Sequence, residues 1–355
     1  MSPSPTLLSF NPHPEQPPAP PRPKRPWPKL RAILTGSAFG ALYLLAFRGM
    51  SFFPHFFDDN KGGAILMSTS FLFLGPFVSG MITTYRKPSA EPLSAPAWIF
   101  APWIAIVFNV LVALFRHWEG LICVVFILPP ALVCASLGGL TAGLWHKHVH
   151  YKLSRSMMSC VAVLPLLLVL LESAIHQPLI TRTVHTSTTI HAPAPVIWDN
   201  IKRVRAIAPS ELRSSWANTI GFPRPVEATL SYEGAGAVRN ASFERGLNFI
   251  ETITDWQPER HIAFTIRADT AHIPPATLDE HVTVGGRFFD VLNGEYTIEP
   301  TSSNESVLHL TSHQRLSTDF NLYAAMWSDA VMSDMQNNIL HVIQQRCERE
   351  AAASR

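Results

Sequence analysis

A chain of 355 residues with 15% charged residues and a formal net charge of +2 has a mean hydropathy of +0.14, too apolar on average for a soluble protein of two or three domains. The excess lies between residues 30 and 175, while the remainder has an ordinary globular mix. Without a run of five or more basic residues outside the short N-terminal tail, nothing points to nucleic acid as a partner. Cys123, Cys134, Cys160 and Cys347 supply no pair to staple the C-terminal half and no C-x-x-C for metal or redox work, so they read as packing residues.

Residues 1–30 carry eleven prolines and almost nothing apolar to bury, which predicts a disordered, solvated tail. Its Pro-x-x-Pro spacings are a weaker pointer to a proline-binding module. Five uncharged runs follow, at 32–47, 62–85, 92–115, 120–145 and 156–171. About twenty helical residues cross a bilayer core of about 30 Å, so the runs predict an α-helical membrane bundle of about five spans within residues 31–176. The spans fall at 31–49, 62–85, 95–115, 120–145 and 156–175. The first and last runs are the shortest, which places Arg48 and Glu172 at the interface. Pro129, Pro130 and Pro165 predict kinks that a bundle tolerates. The first run reads as a retained anchor and not as a cleaved signal, because 30 Pro-rich residues precede it.

Ten basic residues flank one side of these runs: Arg22, Lys24, Arg25, Lys29, Arg31, Arg86, Lys87, Lys147, Lys152 and Arg155. The other side has Arg48, Lys61 and Arg116. The positive-inside rule then puts the N-terminus in the cytoplasm and, after an odd number of spans, the C-terminal domain outside it. The string His146, His148 and His150 continues a helix end, where alternate residues diverge by about 200°, and reads as solvated and not as a metal site. No acidic and basic residue pair falls within a span, so an ion pathway has no visible parts.

Beyond the runs the period changes to two. Val226, Ala228, Leu230 and Tyr232 alternate with Glu227, Thr229, Ser231 and Glu233, as in a strand buried on one face. Further strands are predicted at 183–191, 237–245, 248–256, 260–268, 287–299 and 305–316, with hairpin turns at 234–236 and at Gly246. A short helix follows Pro193, and a long one runs over 319–349.

That order carries particular residues: Ile190-His191-Ala192-Pro193 with Val196-Ile197-Trp198, Gly236-Ala237-Val238-Arg239, Ile253-Thr254-Asp255-Trp256-Gln257-Pro258, Ala263-Phe264, Gly294-Glu295-Tyr296, Leu308-His309-Leu310-Thr311-Ser312 and Trp327-Ser328-Asp329. Over residues 183–350 the chain resembles the polyketide cyclase/START-like (SRPBCC) superfamily. The resemblance implies an α+β helix-grip domain, a curved antiparallel sheet around the long C-terminal helix with a ligand cavity between them. Its motifs are structural, and five helices in front depart from the commonest single-domain members.

The final helix has two apolar rows, Leu322, Met326, Ile339 and Ile343, and Tyr323, Trp327, Val331, Met335 and Val342. Core packing explains most of such an arc, while flexible methionines, Met332 among them, suit a cavity wall. Carboxylates inside apolar strands are sharper pointers, because an unpaired buried one costs several kcal/mol. Glu251 shares parity with Phe249 and Ile253, and Asp290 with Phe288 and Leu292; Arg239, Arg267 and Arg287 are possible partners. The candidate ligand-binding residues are therefore Glu251, Phe264, Asp290, Tyr296, Tyr323 and Trp327, with no catalytic set, cofactor or metal expected. No nucleophile-and-base signature occurs, and His272, His281 and His313 are scattered.

The leading expectation is a membrane-anchored binding module for a lipid or other hydrophobic small molecule, in a bacterial inner membrane. A cyclase- or dehydratase-like enzyme on such a molecule is the runner-up, and a membrane sensor or assembly protein the third. Topology is testable directly: a reporter fused after Arg349 should be active only outside the cytoplasm, and one after Lys87 only inside. Both reporting one compartment would show an even number of crossings between them.

Overall fold

The computed structural model describes residues 28–52, 65–85, 93–148, 154–175, 178–269 and 284–353. The Pro-rich segment 1–27, Lys61, Arg86, Lys87, His150, Lys152, His272 and His281 lie outside the described residues. The N-terminal half forms α1 (Pro28–Gly49), α2 (Gly75–Thr84, continuous with a π-helical turn at Ser70–Leu74), α3 (Ala95–Phe115), α4 (Leu121–His148) and α5 (Arg155–Ala174). Four helices, Lys29–Gly49, Ala95–Phe115, Leu121–His148 and Arg155–Glu172, are long and apolar enough to cross a membrane, and Ser70–Thr84 is a shorter apolar helix.

The sequence pointed to the first and last runs as the short ones; in the structure it is the second that winds short. Ser68 is the cause. Its hydroxyl donates to the Ile65 carbonyl and accepts from the Phe71 N–H, so side-chain bonds compete with the helical ladder at that end.

The long helices leave large apolar side chains exposed, including Phe39 and Leu42 on α1, Phe108 and Leu111 on α3, Val133 and Leu137 on α4, and Leu164, Leu167 and Leu171 on α5. Continuous apolar surface of this extent is unfavourable in water, and these helices are compatible with membrane insertion. Between helices the contacts are small and polar. A Cβ on Gly138 would overlap the Phe77 carbonyl oxygen, and one on Gly80 the Ala135 carbonyl oxygen. Ser37 donates to the Ala101 carbonyl at 3.1 Å and Thr84 to the Gly139 carbonyl at 3.2 Å. Close backbone approach and interhelical hydrogen bonds are what hold helices together where the surroundings are as apolar as the side chains. One ion pair also exists here: Arg48, at the end of α1, lies 3.3 Å from Glu119 in the α3–α4 turn, both largely buried.

The C-terminal half contains β1 (Ile180–Ile190), α6 (Ala194–Lys202), α7 (Trp216–Ile220), β2 (Pro225–Leu230), β3 (Val238–Phe243), β4 (Asn248–Gln257), β5 (His261–Asp269), β6 (Phe289–Ser302), β7 (Glu305–Leu316) and α8 (Asn321–Ala353). The strands form one antiparallel sheet in the order β1-β7-β6-β5-β4-β3-β2, curled around α8 in a helix-grip arrangement. Along β7 burial alternates residue by residue, the period-two pattern of a strand with one face on the core.

The two halves of α8 do different things. Leu340, Ile343, Cys347 and Ala351 join Ile190, Trp198, Ile262 and Leu308 in a single core. Arg346 grips Glu211 through two hydrogen bonds of 2.9 and 2.7 Å, which holds that carboxyl at about 2. Gln336 bonds Thr186 and Ser312 at 3.0 and 2.9 Å. By contrast Leu322 and Met326, expected within the buried arc, are 91% and 56% exposed, because the first turns of α8 project towards the helical half instead of over the sheet. The N-terminal bundle meets α8 there: the Asp319 N–H donates to the Met67 carbonyl, Thr69 donates to the Asp319 carbonyl, and Phe73 packs edge-on to Phe320 and Tyr323.

Every residue of the main domain core comes from 190–351. Residues 178–355 expressed alone should therefore give a β-rich fold with a cooperative melt, since about 170 residues suffice for one core. Circular dichroism checks this; a melt without cooperativity would mean that the helical half completes the core.

Candidate ligand cavity

The N-terminal half of α8 does not fill the concave face of the sheet, and a cavity of about 280 Å³ remains. Its walls come from β2 to β7, from α8 between Tyr323 and Ile339, and from the helical half through Met67, Glu119, Cys123, Phe126 and Ile127. The lining is overwhelmingly apolar, with Phe249, Phe264, Phe288, Val331, Met332 and Met335 prominent.

One polar group of unusual cost sits in this wall. Arg239 on β3 and Glu251 on β4 are direct cross-strand partners, with Nη1 and Oε2 3.0 Å apart and side chains only 4% and 9% exposed. The guanidinium lies 5.3 Å from the centre of the Phe264 ring and 5.6 Å from that of Tyr296, and Tyr296 is also hydrogen-bonded to it. The ion pair is close but oblique: Nε and Nη1 of Arg239 and Oε2 of Glu251 make no hydrogen bond. Burial pushes the Glu251 carboxyl above the usual carboxylate range, with the Arg239 charge opposing it. A neutral pair with spare donors and a spare acceptor, beside apolar walls, is suited to a molecule that is mostly hydrocarbon and carries one hydrogen-bonding group.

Of the six residues singled out from sequence, Glu251, Phe264, Tyr296, Tyr323 and Trp327 line this cavity. Asp290 does not. It sits opposite Arg315 on β7, while Phe289 and Val291 face the cavity. Phe288 precedes the strand, which begins at Phe289, so alternation counted from it misleads, and a bulge between Val291 and Asn293 shifts the facing again before Leu292 can correct it. Among the three candidate arginines, Arg239 alone lines the cavity; Arg287 lies over Phe288. The signal for that choice was present: Arg239 and Glu251 stand six residues on either side of Arg245, the middle of the Glu244–Gly246 turn. Cys123 lines the cavity and Cys160 is exposed, so the cysteines are not uniformly packing residues. Phe126 and Met67 had no local sequence signal, because they approach from a separate segment of the chain.

No family model matches the chain, and no curated protein matches it. Solved structures do. The Zhui aromatase/cyclase from Streptomyces sp. R1128 aligns at 17% identity over 49% of this chain and 98% of its own, with a TM-score of 0.31. Norcoclaurine synthase from Thalictrum aligns at 14% identity over 47% and 97%, TM-score 0.28, and a START superfamily protein from Mycobacterium smegmatis at 10% over 47% and 98%, TM-score 0.30. The helix-grip assignment rests on strand order and on the position of α8, not on these scores.

Removing one member of a buried ion pair leaves the other uncompensated. Arg239→Met should thus lower stability by about 3–5 kcal/mol, and the double variant Arg239→Met/Glu251→Leu should recover most of the loss. Chemical denaturation checks this; equal losses in single and double variants would show that the pair is not coupled.

Proposed function

We propose that the C-terminal domain binds a lipid or other hydrophobic small molecule and that the N-terminal helices, crossing about five times, hold it at the outer face of a bacterial inner membrane. The observation that carries this reading is the apolar cavity whose wall contains a buried ion pair with unused hydrogen-bonding atoms. The charge asymmetry of the loops supports the orientation, and the domain packs on the same helix ends as the Arg48–Glu119 pair. Glu251 also favours a second reading. A carboxyl whose proton affinity is raised by burial, facing a cavity, is a candidate general acid, and an enzyme acting on the bound molecule would use it.

Native mass spectrometry of the full chain, released from its membrane in mild detergent, separates these. An unchanged co-purifying hydrophobic molecule supports binding, and a chemically altered product supports the enzyme. A protein that is always empty and takes up no hydrophobic probe overturns both. Trp327→Ala refines the result: an aromatic anchor in the cavity should weaken probe binding by on the order of 1–3 kcal/mol. A core role would instead lower folding stability by about 3–5 kcal/mol with affinity per folded molecule unchanged.

A further inference from the structure

Helix α4 contains the tandem Pro129-Pro130. Proline has no N–H, so each leaves the carbonyl four residues earlier without its helical partner; for Pro130 that carbonyl belongs to Phe126. In this protein the missing bond is supplied from the other half of the chain: the Tyr323 hydroxyl of α8 donates to the Phe126 carbonyl at 2.6 Å. The same residues close the cavity. Phe126, Tyr323 and Trp327 all line it, and the Trp327 ring lies 4.9 Å from that of Phe126 and 6.3 Å from that of Trp216. The same helix ends carry exposed large apolar side chains, Leu121 at 55% on the first turn of α4 and Leu322 and Met326 at 91% and 56% on the first turns of α8. Among the described residues of the C-terminal half, exposed large apolar side chains are few, and such side chains at the end of an apolar helix suit a lipid interface.

We propose that the contact between α4 and α8 is a lateral portal, held closed by the Tyr323–Phe126 hydrogen bond, through which a bilayer-dissolved amphiphile reaches the cavity. The inference rests on the proposed binding role and adds the source and class of the ligand. The molecule is a single-chain amphiphile with an uncharged hydrogen-bonding head: a hydroxyl can accept from Arg239 and donate to Glu251, whereas a third charge beside the neutral pair would be buried without compensation. The latch exists because Pro130 frees the carbonyl that Tyr323 uses.

The test uses the full chain in lipid vesicles and a diazirine-bearing fatty alcohol, either dissolved in the bilayer beforehand or delivered from water on cyclodextrin. Samples are flashed at intervals and labelling of the 331–339 segment is read by mass spectrometry. Labelling should rise faster from the bilayer. Pro130→Ala restores a helical N–H for Phe126 and should speed labelling about twofold to tenfold, the range for losing one hydrogen bond, with the plateau unchanged. Tyr323→Phe should speed it similarly, the double variant no further than either single, and Tyr232→Phe not at all. Wild-type rates in both single variants, or faster labelling from water, overturn the portal. No labelling at any time from either source overturns the binding reading instead, and the latch is then judged by melting. Tyr323→Phe should lower Tm less in the Pro130→Ala background; equal drops in both backgrounds overturn it.

Discussion

A curled sheet of seven strands encloses more volume than one helix fills evenly, and α8 fills it unevenly. Its C-terminal half presents Leu340, Ile343 and Cys347 to the sheet and completes a close-packed core. Its N-terminal half presents Tyr323, Trp327, Val331 and Met335 to an open space. Dispersion and burial favour closing such a void. What keeps it open is the anchoring of α8 at fixed points: Gln336 to Thr186 and Ser312, Asn338 to the Arg213 N–H, and Arg346 to Glu211. A helix tied by directional bonds at several turns cannot sink onto the sheet without leaving buried polar groups unpaired.

The Arg239–Glu251 pair is expensive in the same sense. Two charges lose their water, and their attraction returns the cost only when hydrogen bonds complete it; here Nε, Nη1 and Oε2 stay unpaired. The aromatic faces of Phe264 and Tyr296 against the guanidinium offset part of that penalty. Replacing a buried ion pair by apolar residues is often neutral for a fold, so stability is a weak reason for charges at these positions.

In the helical half, unsatisfied carbonyls and small residues set the architecture. Tyr43 of α1 donates to the Ala162 carbonyl of α5 at 3.1 Å, and Tyr323 to the Phe126 carbonyl that Pro130 leaves free. In both places a tyrosine from a separate element meets a helical backbone oxygen, and in the second a local defect becomes a long-range tie. The second tie differs in that it joins the bundle to the domain, making the helical half a wall of the cavity.

Sequence alone determined what depends on local periodicity. Long uncharged runs gave the apolar helices, alternation gave the strands, and Pro193 and the Gly246 turn marked where elements begin and reverse. The facing of Glu251 followed from its neighbours Phe249 and Ile253, because parity survives along an unbroken strand. Parity failed for Asp290, because its reference Phe288 lies outside the strand and a bulge between Val291 and Asn293 separates it from the residues beyond, neither of which leaves a composition signal. Leu322 and Met326 matched a helical stripe yet lie exposed, since a stripe records what can be buried and not where the sheet stops. Only the tertiary structure decided that Phe126 meets Tyr323 across 197 positions of sequence. Contacts of that range depend on how separately formed elements dock, which no local pattern of side chains encodes.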